Sequence, residues 1–422
     1  ETPYVTVSET SSVLLGQAVT LKATTNTGSA VQWSSGNSSI ATVSSSGTVT
    51  GKKVGTTTIY AKVTYQGKTY TGNYIVTVNP PYLAETSATI DKGDTYQIAV
   101  TGGFGTTTYS SSDTSVATVS SDGVVTGLAT GSATITVKRN GCSMKFTVQV
   151  VVTKIKVGAI CYHKFYTQEE ADNGTSFGTY TIWAAEFEQH LQYLEEQGIR
   201  VITVSELMDF VDGKIDLPEK CVLLTVDDCD ISFYKHAYPL LKQYDVKMNA
   251  AVIGNRSDGA QEGNAYRKSY STWDEIAEMA ASGYVEFGAH TYYLHDTNEG
   301  RTGTMLKSDE GIGTYRNVLK NDLTPLNKKI ANYVGYTPNF FVYPYYAVSM
   351  PSIPILRDTL GYRFLFCGNS DSAYRYMGES IHATNYNPFT KGEEPASCLI
   401  KRYTPRSGDD FAAIIETIFE EG

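Results

Sequence analysis

Two neighbouring carboxylates, Asp227 and Asp228, directly follow the apolar run Cys221–Val226. Side by side, such groups repel each other unless a cation or a proton separates their roles. Because successive side chains of an extended chain point in opposite directions, one carboxylate can bind a metal while the other faces a substrate. The alternative is a pair of loop aspartates that cap a helix beginning near Ser232.

Two histidines, His290 and His295, follow a second apolar run, Val285–Ala289, and the chain has 6 histidines in all. Two imidazoles and one carboxylate make a ligand set that leaves coordination positions open for water and substrate. The spacing lacks the glutamate of the H-E-x-x-H motif, which excludes a zincin. The set favours a divalent metal, with zinc as the first candidate and cobalt, nickel or iron as the others. The alternative is that both histidines are solvated or cap local backbone.

The chain after about residue 152 alternates short apolar strands with amphipathic helices about eight times, which predicts a (β/α) barrel of distorted or incomplete form. Barrel enzymes build their sites at the carboxyl ends of the strands, where His163 and Tyr345 also stand. The predicted strands are Val157–Cys161, Val201–Thr203, Val222–Val226, Met248–Val252, Val285–Ala289, Phe340–Tyr343, Phe364–Phe366 and Cys398–Ile400. The main predicted helices are Ala184–Gly198, Ser232–Tyr244, Thr272–Gly283, Thr314–Val334 and Asp409–Glu421.

The first 152 residues contain an internal repeat with an offset of 76 residues. Ile40–Val43 matches Val116–Val119, and Trp33 and Tyr109 hold aromatic positions at the same offset. Alternation of apolar and polar residues between glycine turns predicts two small all-β sandwiches. Neither repeat has a cluster of ionisable residues that could do chemistry. We therefore favour plain spacers, with contact to the cell wall or to surface glycans as the alternative. The expected domains are 1–79, 80–152 and 153–422.

Composition limits the partners and the setting. The formal net charge of -10 argues against nucleic acid, because phosphate binding needs clustered Lys and Arg. No apolar run reaches about 18 residues, so we expect no membrane span. The 6 cysteines have no C-x-x-C spacing, which favours buried thiols, with one or two disulfides as the alternative. The start at Glu1 is typical of a mature or trimmed chain, and low charge with abundant Ser, Thr, Gly and Tyr is typical of secreted or cell-surface proteins.

The segment from Lys156 onward resembles the polysaccharide deacetylase family, carbohydrate esterase family 4. The motifs that carry the resemblance are LLTVDDCDISFYKHAYPLLKQYDVKMNAAVIG, FGAHTYYLHD and FVYPYYA. The segments GAICYHKF and FEQHLQYLEEQGIRVITVSEL are similar to the branch that includes poly-N-acetylglucosamine deacetylases. That branch spaces its metal histidines five residues apart, as His290 and His295 are here. The phrase IATVSSSGTVTGKKVGTTTI resembles bacterial Ig-like modules.

The resemblance implies two Ig-like sandwiches followed by a distorted (β/α) barrel, and it implies roles in the barrel. Asp227 would be the general base, and His163 the general acid that protonates the leaving amine. The backbone N–H of Tyr345 would help to bind the oxyanion. The implied metal ligands are Asp228, His290 and His295. A metal polarises the amide carbonyl and lowers the pKa of bound water to roughly 7.

Two residues depart from the family pattern. Cys229 and Tyr346 stand where the family usually has glycine, a residue that permits positive φ or the close approach of a ligand. They would narrow the groove or reshape its turns. The late Leu-x-His motif of the family has only the weak counterpart Ile381-His382. Tyrosines near the strand ends predict a platform for sugar rings, of which we single out Tyr345.

The expected function is a metal-dependent hydrolase that removes N-acetyl groups from a polysaccharide containing N-acetylglucosamine. The first alternative is an O-acetyl esterase acting on acetylated glycan, because ester and amide cleavage share a tetrahedral path. The second is a catalytically silent glycan-binding surface protein, for which Cys229 and Tyr346 are the only support.

Overall fold

The computed structural model describes residues 2–8, 12–174, 178–298, 300–368 and 386–420. The chain divides into two compact units, Glu1–Val152 and Thr153–Gly422. Within the described residues, no helix is both long enough and apolar enough to cross a membrane. The six cysteines all lie in described segments and carry free thiols, and five of them are buried, which confirms the expectation of buried thiols.

The N-terminal unit consists of β-strands that pair mostly antiparallel. Its strands are β1 (Val5–Val7), β2 (Ser12–Leu14), β3 (Ala18–Thr20), β4 (Ala23–Thr25), β5 (Gln32–Ser35), β6 (Ala41–Val43), β7 (Thr48–Gly51), β8 (Gly55–Tyr65), β9 (Lys68–Asn79), β10 (Tyr82–Leu83), β11 (Ser87–Asp91), β12 (Thr95–Gln97), β13 (Val100–Thr101), β14 (Thr107–Ser111), β15 (Ala117–Val119), β16 (Val124–Gly127), β17 (Gly131–Arg139) and β18 (Cys142–Val151). The parallel pairs β2-β9 and β11-β18 are the exceptions.

These strands form two β-sandwiches of the same topology. In the first, the sheets β2-β9-β8-β5 and β3-β7-β6 enclose an apolar core, and in the second the sheets β11-β18-β17-β14 and β12-β16-β15 do the same. Each sandwich also has a two-stranded ribbon, β1-β4 or β10-β13. The sequence repeat is therefore a repeat of the whole sandwich.

The repeated aromatic residue packs against a repeated glycine in each sandwich. Gly47 has φ 87°, and a Cβ atom there would lie 2.9 Å from the Trp33 ring. Gly123 has φ 83°, and a Cβ atom there would lie 2.6 Å from the Tyr109 ring. A side chain at either glycine would meet both backbone strain and a steric clash, which explains why glycine and ring recur together.

The C-terminal unit alternates strands and helices. Its strands are β19 (Lys154–Tyr162), β20 (Lys164–Tyr166), β21 (Thr181–Trp183), β22 (Arg200–Ile202), β23 (Lys220–Val226), β24 (Met248–Ile253), β25 (Val285–Thr291), β26 (Thr297–Asn298), β27 (Arg301–Thr302), β28 (Phe340–Val342), β29 (Phe364–Gly368), β30 (Asn387–Thr390) and β31 (Leu399–Arg402). Its α-helices are α1 (Gln168–Asp172), α2 (Ala184–Glu196), α3 (Val204–Val211), α4 (Tyr238–Gln243), α5 (Gly254–Gln261), α6 (Trp273–Ala281), α7 (Ile312–Val334), α8 (Ser352–Pro354) and α9 (Phe411–Phe419). Short 3₁₀ or π turns are Phe233–Ala237, Ala265–Lys268, Pro344–Tyr346 and Ile355–Thr359.

Seven parallel strands form a closed barrel in the order β19-β23-β24-β25-β28-β29-β31. A parallel bridge between Ile160 and Tyr403 joins the first of these strands to the last. The N–H of Cys161 donates to the Tyr403 carbonyl at 2.7 Å, and the N–H of Tyr403 donates to the Ala159 carbonyl at 2.8 Å. The predicted fold class, two all-β sandwiches followed by a distorted barrel, is confirmed.

The predicted strand Val201–Thr203 lies outside the barrel ring. It forms β22, which pairs with the first half of β23, while β24 pairs with the second half. The buried side chain of Asn249, in β24, lies where β23 changes its partner from β22 to β24. Its amide nitrogen donates to the Leu224 carbonyl at 3.1 Å, and its oxygen accepts from the Val204 N–H at 2.9 Å. A short apolar run has the same pattern in both settings, so the sequence predicted one barrel strand too many.

Apart from α1, which has no buried residue, the α-helices bury residues within this unit. In α2 the predicted apolar residues Phe187, Leu191 and Leu194 are buried. The long helix α7 buries an apolar stripe that also contains one carboxylate, Asp322. Strands covered in this way are apolar on both faces, as the fully buried strand β24 shows.

A buried histidine of α2 makes the stability of the fold depend on pH. His190 stacks on Phe411 with 3.8 Å between ring centres, and burial lowers its pKa to about 4. The unfolded chain therefore binds a proton on His190 between about pH 6.5 and pH 4 that the folded chain does not bind. We expect His190 to contribute stability near neutral pH that is lost as pH falls through this range, by up to about 3 kcal/mol at 1.36 kcal/mol per pKa unit.

Thermal unfolding of the wild type and His190→Gln between pH 7.5 and pH 4.5 tests this expectation. The variant should have a lower Tm at pH 7.5 and a shallower loss of Tm on acidification. His236→Gln is the matched control, because His236 forms a partly exposed pair with Glu170 at 3.0 Å. Equal pH slopes in the wild type and His190→Gln would contradict the assignment.

Candidate metal centre and active site

The barrel brings the predicted site residues to one rim. Asp227 and Asp228 directly follow β23, His163 directly follows β19, and His290 is the next-to-last residue of β25. His295 lies in the loop after β25 and contacts Asp228. Parallel strands end at the same face of a barrel, which is why positions distant in sequence become neighbours here.

Asp228 and the two predicted ligand histidines form one cluster. Oδ1 of Asp228 lies 3.4 Å from Nε2 of His290 and 3.3 Å from Nε2 of His295. Oxygen and nitrogen ligands of a tetrahedral zinc ion are separated by about 3.4 Å, given bond lengths of roughly 2.0–2.2 Å. Burial opposes the ionisation of Asp228, yet the two imidazoles hold its pKa well below the ordinary value.

The tautomer of His290 indicates that a positive charge belongs in this cluster. Nδ1 of His290 lies 2.8 Å from the carbonyl oxygen of Val342, which can only accept, so Nδ1 carries the proton. In neutral His290, a lone pair on Nε2 then faces the carboxylate oxygen of Asp228. Only a proton or a metal cation between these atoms makes the contact favourable, and two imidazoles with one carboxylate suit zinc.

The other member of the aspartate pair is buried against an arginine. Oδ1 of Asp227 accepts from Nη1 of Arg402 at 2.7 Å, and Oδ2 accepts from Nη2 at 2.9 Å. Both side chains are almost fully buried, and Arg402 is the last residue of β31. Burial would raise the pKa of Asp227, but the guanidinium outweighs it and holds that pKa below the ordinary value. Asp227 is therefore ionised at neutral pH.

His163 lies beside this ion pair. Its Nε2 atom is 3.8 Å from Oδ2 of Asp227, and its ring stacks on Tyr180 with 4.9 Å between ring centres. Tyr180 is exposed, so the imidazole lies between a buried carboxylate and the surface. A histidine in this position can pick up a proton from solvent and deliver it at the rim.

A second trio, Cys161, His163 and Asp227, is also close enough for its ligand atoms to share an ion. Its chemistry fits a metal poorly. Arg402 already binds both oxygens of Asp227, and a cation there would face a buried guanidinium. Burial also raises the pKa of the Cys161 thiol to about 12, so the thiolate that a metal needs is disfavoured.

The two positions where glycine was expected have left-handed backbone. Cys229 has φ 54° and Tyr346 has φ 58°, and each follows a residue that is itself left-handed, Asp228 at 71° and Tyr345 at 58°. Left-handed backbone costs a non-glycine residue roughly 1–2 kcal/mol. The turns thus keep a glycine-like shape despite their side chains, and that shape directs Asp228 and Tyr345 to the rim.

The Tyr346 side chain fills space beside the ion pair. Its ring centre is 5.6 Å from the Arg402 guanidinium, and its hydroxyl lies 2.8 Å from Oγ1 of Thr404. The ring packs so closely on Gly368 that a Cβ atom there would lie 2.8 Å from it. Tyr346 therefore narrows the floor of the site, while Cys229 is buried in the core and faces no groove.

The aromatic residues near the rim divide into two groups. Tyr345 is exposed, and its ring centre lies 5.2 Å from that of His295, so it is placed to contact a ligand at the cluster. Tyr293 and Tyr180 are exposed as well. In contrast, Tyr343 and Trp273 belong to the hydrophobic core.

Sequence reasoning missed Arg402 and Asp322. Arg402 had a usable signal, since it ends an apolar strand just as Asp227 follows one. Asp322 interrupts the apolar stripe of α7 and accepts hydrogen bonds from the loop that carries His295. The weak motif candidate Ile381-His382 lies outside the described residues.

The chain is similar to known proteins in both units. Residues 214–365 match the polysaccharide deacetylase family, and residues 1–72 and 76–151 match the bacterial Ig-like domain (group 2). A poly-beta-1,6-N-acetyl-D-glucosamine N-deacetylase of Staphylococcus aureus is 24% identical over 178 residues, which are 42% of this chain and 58% of that protein. The enzyme of the same name from Escherichia coli K12 is 26% identical over 213 residues, 46% of this chain and 32% of that protein.

The chain thus spans little more than half of the first of these relatives and about a third of the second. Among solved structures, a de-N-acetylase from Aggregatibacter actinomycetemcomitans superposes with a TM-score of 0.50 at 23% identity, covering 61% of this chain and 98% of that one. That likeness supports the barrel fold. The C-terminal unit thus contains a polysaccharide deacetylase domain, a domain type found in hydrolases, and the N-terminal unit contains two bacterial Ig-like domains.

Proposed function

We propose that the C-terminal unit is a metal-dependent N-deacetylase that acts on a polysaccharide containing N-acetylglucosamine. The observation that carries the proposal is the cluster of Asp228, His290 and His295 next to an ionised, buried Asp227. One set of groups suits a divalent metal, and the adjacent carboxylate suits a base. The names of the curated relatives favour the β-1,6-linked polymer as the substrate.

Asp228, His290 and His295 would hold the metal. When bound, a divalent ion polarises the amide carbonyl and makes water more acidic. The hydrogen bond from His290 to the Val342 carbonyl orients that ring so that Nε2 points towards Asp228 and would be available to the metal. The left-handed backbone at Asp228 turns its carboxylate away from that of Asp227, so the two aspartates serve different partners.

Asp227 accepts the proton of the attacking water. Each carboxylate oxygen has two lone pairs. Oδ2 accepts from Arg402 and from the Cys161 thiol, whereas Oδ1 accepts only from Arg402 among the described residues and keeps an acceptor site open. Arg402 keeps the carboxylate ionised and fixes its plane, which removes the entropic cost of orienting the base during reaction. General-base catalysis of this kind contributes roughly 10²–10⁴-fold.

His163 donates the proton that the leaving amine needs. Its Nε2 atom lies near Asp227, so the base that takes a proton from water and the acid that gives a proton to the amine are neighbours. The backbone N–H of Tyr345 donates to the oxyanion that forms on the carbonyl oxygen. Loss of one such donor costs about 2.7–4 kcal/mol in other hydrolases.

The exposed rings of Tyr345, Tyr293 and Tyr180 support a glycan substrate, since sugar rings stack on aromatic faces. We further propose three folding domains, 1–79, 80–152 and 153–422, and a secreted or cell-surface location. The Ig-like domains would act as spacers, with contact to wall or surface glycans as a testable extension. Two sandwiches of identical topology suit a spacer that sets the reach of the barrel.

The test is release of free amines from β-1,6-linked and β-1,4-linked N-acetylglucosamine oligomers. The protein is first treated with a chelator and then supplied with Zn²⁺, Co²⁺, Ni²⁺ or Fe²⁺. We expect no release after chelation, recovery with added metal and faster release from the β-1,6-linked oligomers. Acetyl release from sugar esters is measured in parallel.

Each of the other outcomes selects a different function. Faster turnover of esters than of amides would make the protein an O-acetyl esterase. Metal binding without any turnover would make it a silent glycan-binding protein. Turnover that persists at full rate after chelation would remove the metal from the proposal.

A further inference from the structure

The loop between the two histidines of the cluster converges on one buried carboxylate of α7. The backbone N–H of Tyr292 donates to Oδ2 of Asp322 at 2.8 Å. The backbone N–H groups of Tyr293 and Leu294 donate to Oδ1 of Asp322 at 2.7 Å and 3.2 Å. Asp322 is 6% exposed, and His295 is the residue that follows the last of these donors.

Three successive N–H groups that point at one anion form a concave nest, which fixes the backbone of all three residues. Burial raises the pKa of Asp322, and the three N–H donors counter this effect by stabilising the carboxylate. Hydrogen bonds to an ionised carboxylate are stronger than neutral ones. The loop cannot move away from α7 without leaving a buried carboxylate unpaired, which is costly. The position of His295 is therefore tied to the position of Asp322.

Contacts on both sides of His295 strengthen this link. On one side, Leu294 packs against a cluster that Tyr315 and Leu319 of α7 form with Ile355. On the other side, Asp296 forms two hydrogen bonds with Nη2 of Arg256, at 2.6 Å and 2.7 Å. The loop is thus fastened before and after its histidine, and α7 provides the buried attachment.

We propose that Asp322 is a positioning residue that holds His295 at the distance from Asp228 at which both side chains contact one divalent metal ion. The inference rests on the proposed function, because it takes Asp228, His290 and His295 as the metal ligands. Asp322 itself touches neither the metal nor the substrate. It acts through the backbone of residues 292–294.

Two substitutions remove the hydrogen bonds of Asp322 to different extents. Asp322→Ala removes all three acceptor bonds. Asp322→Asn keeps an oxygen in place of Oδ1, which still accepts from Tyr293 and Leu294, but puts a donor opposite the N–H of Tyr292. The matched control is Asn327→Ala, a similarly buried polar residue of α7 whose oxygen accepts from the Tyr362 hydroxyl at 2.6 Å.

The measurements are zinc affinity by competition with a chelator, the visible absorption of the Co²⁺ protein, and the Tm of the metal-free protein. We expect Asp322→Ala to bind zinc roughly 10–100-fold more weakly, as for other residues that orient metal ligands. Its Co²⁺ spectrum should approach that of His295→Ala. Asp322→Asn should fall between Asp322→Ala and the wild type. Asn327→Ala should lower the Tm and leave both zinc affinity and spectrum unchanged.

Two results would contradict the positioning role of Asp322, and a third would contradict the metal site on which that role rests. If Asp322→Ala folds and matches the wild type in zinc affinity and Co²⁺ spectrum, Asp322 does not position the ligand. If Asp322→Ala fails to fold, wild-type affinity in Asp322→Asn likewise excludes a positioning role. If the wild type itself binds no zinc or cobalt, the proposed metal site is wrong, and the role of Asp322 falls with it.

Discussion

Replacement of Asp228, His290 or His295 by alanine is expected to remove bound metal and to abolish amine release. Each residue supplies one of the three close ligand atoms, and a site reduced to two protein ligands holds a divalent ion far more weakly. Loss of Asp228 also removes the only negative charge of the cluster. The measurement is metal content after dialysis, by elemental analysis, together with turnover at saturating oligomer.

His236→Ala is the matched control for the histidine variants, because it removes an imidazole that pairs with Glu170 instead of Asp228. It should keep full metal content and turnover. Full zinc occupancy in any one of the three alanine variants would refute the ligand assignment for that residue. Retained metal with lost turnover would instead place the residue beside the substrate.

Asp227→Asn is expected to keep the metal and to lower kcat by roughly 10²–10⁴-fold, the usual contribution of a general base. The amide cannot accept a proton from water at neutral pH. The same change leaves the buried Arg402 without its counter-ion, and breaking such a pair costs about 3–5 kcal/mol of folding stability. Turnover must therefore be measured well below the Tm of the variant.

A second substitution separates catalysis from stability. In Asp227→Asn combined with Arg402→Met, no buried charge remains unpaired, so the Tm should recover towards that of the wild type. Turnover should stay as low as in the single variant. If turnover recovers with the Tm, then Asp227 serves folding and the base lies elsewhere. Near-normal kcat in Asp227→Asn alone would lead to the same conclusion.

The position of the site was predictable because barrel strands end on one face. The apolar runs before Asp227 and His290 were clear in sequence, and the structure brings both residues to that face. Arg402 was missed for a small reason: the last strand was predicted to end at Ile400, whereas it continues to Arg402. A strand prediction longer by two residues would have put this arginine at a strand end, as Asp227 is.

The conformation of the turns was less accessible from the sequence. Cys229 and Tyr346 were expected to narrow a groove or reshape a turn, and only Tyr346 occupies the site. Both keep positive φ, because the surrounding strands and hydrogen bonds determine the backbone there more strongly than the preference of either residue. Asp322 was hidden for a related reason, since a helical period reports the apolar face and gives no sign of which loop a polar residue on it will meet.

The first and last strands of the barrel close the ring, so the proposed site is complete only after the last strand has been synthesised. Arg402 pairs with Asp227 across a separation of 175 residues, and the bridge from Ile160 to Tyr403 spans still more of the chain. A growing chain that stops before β31 would carry every proposed ligand, the base and the acid, yet its base would lack the cation that orients it and its ring of strands would stay open. Proteins dominated by contacts between residues distant in sequence fold slowly, because the entropy of loop closure opposes such contacts. Catalytic competence would thus arise only when synthesis of the barrel is complete, so a chain cut short by degradation or stalled translation would remain silent.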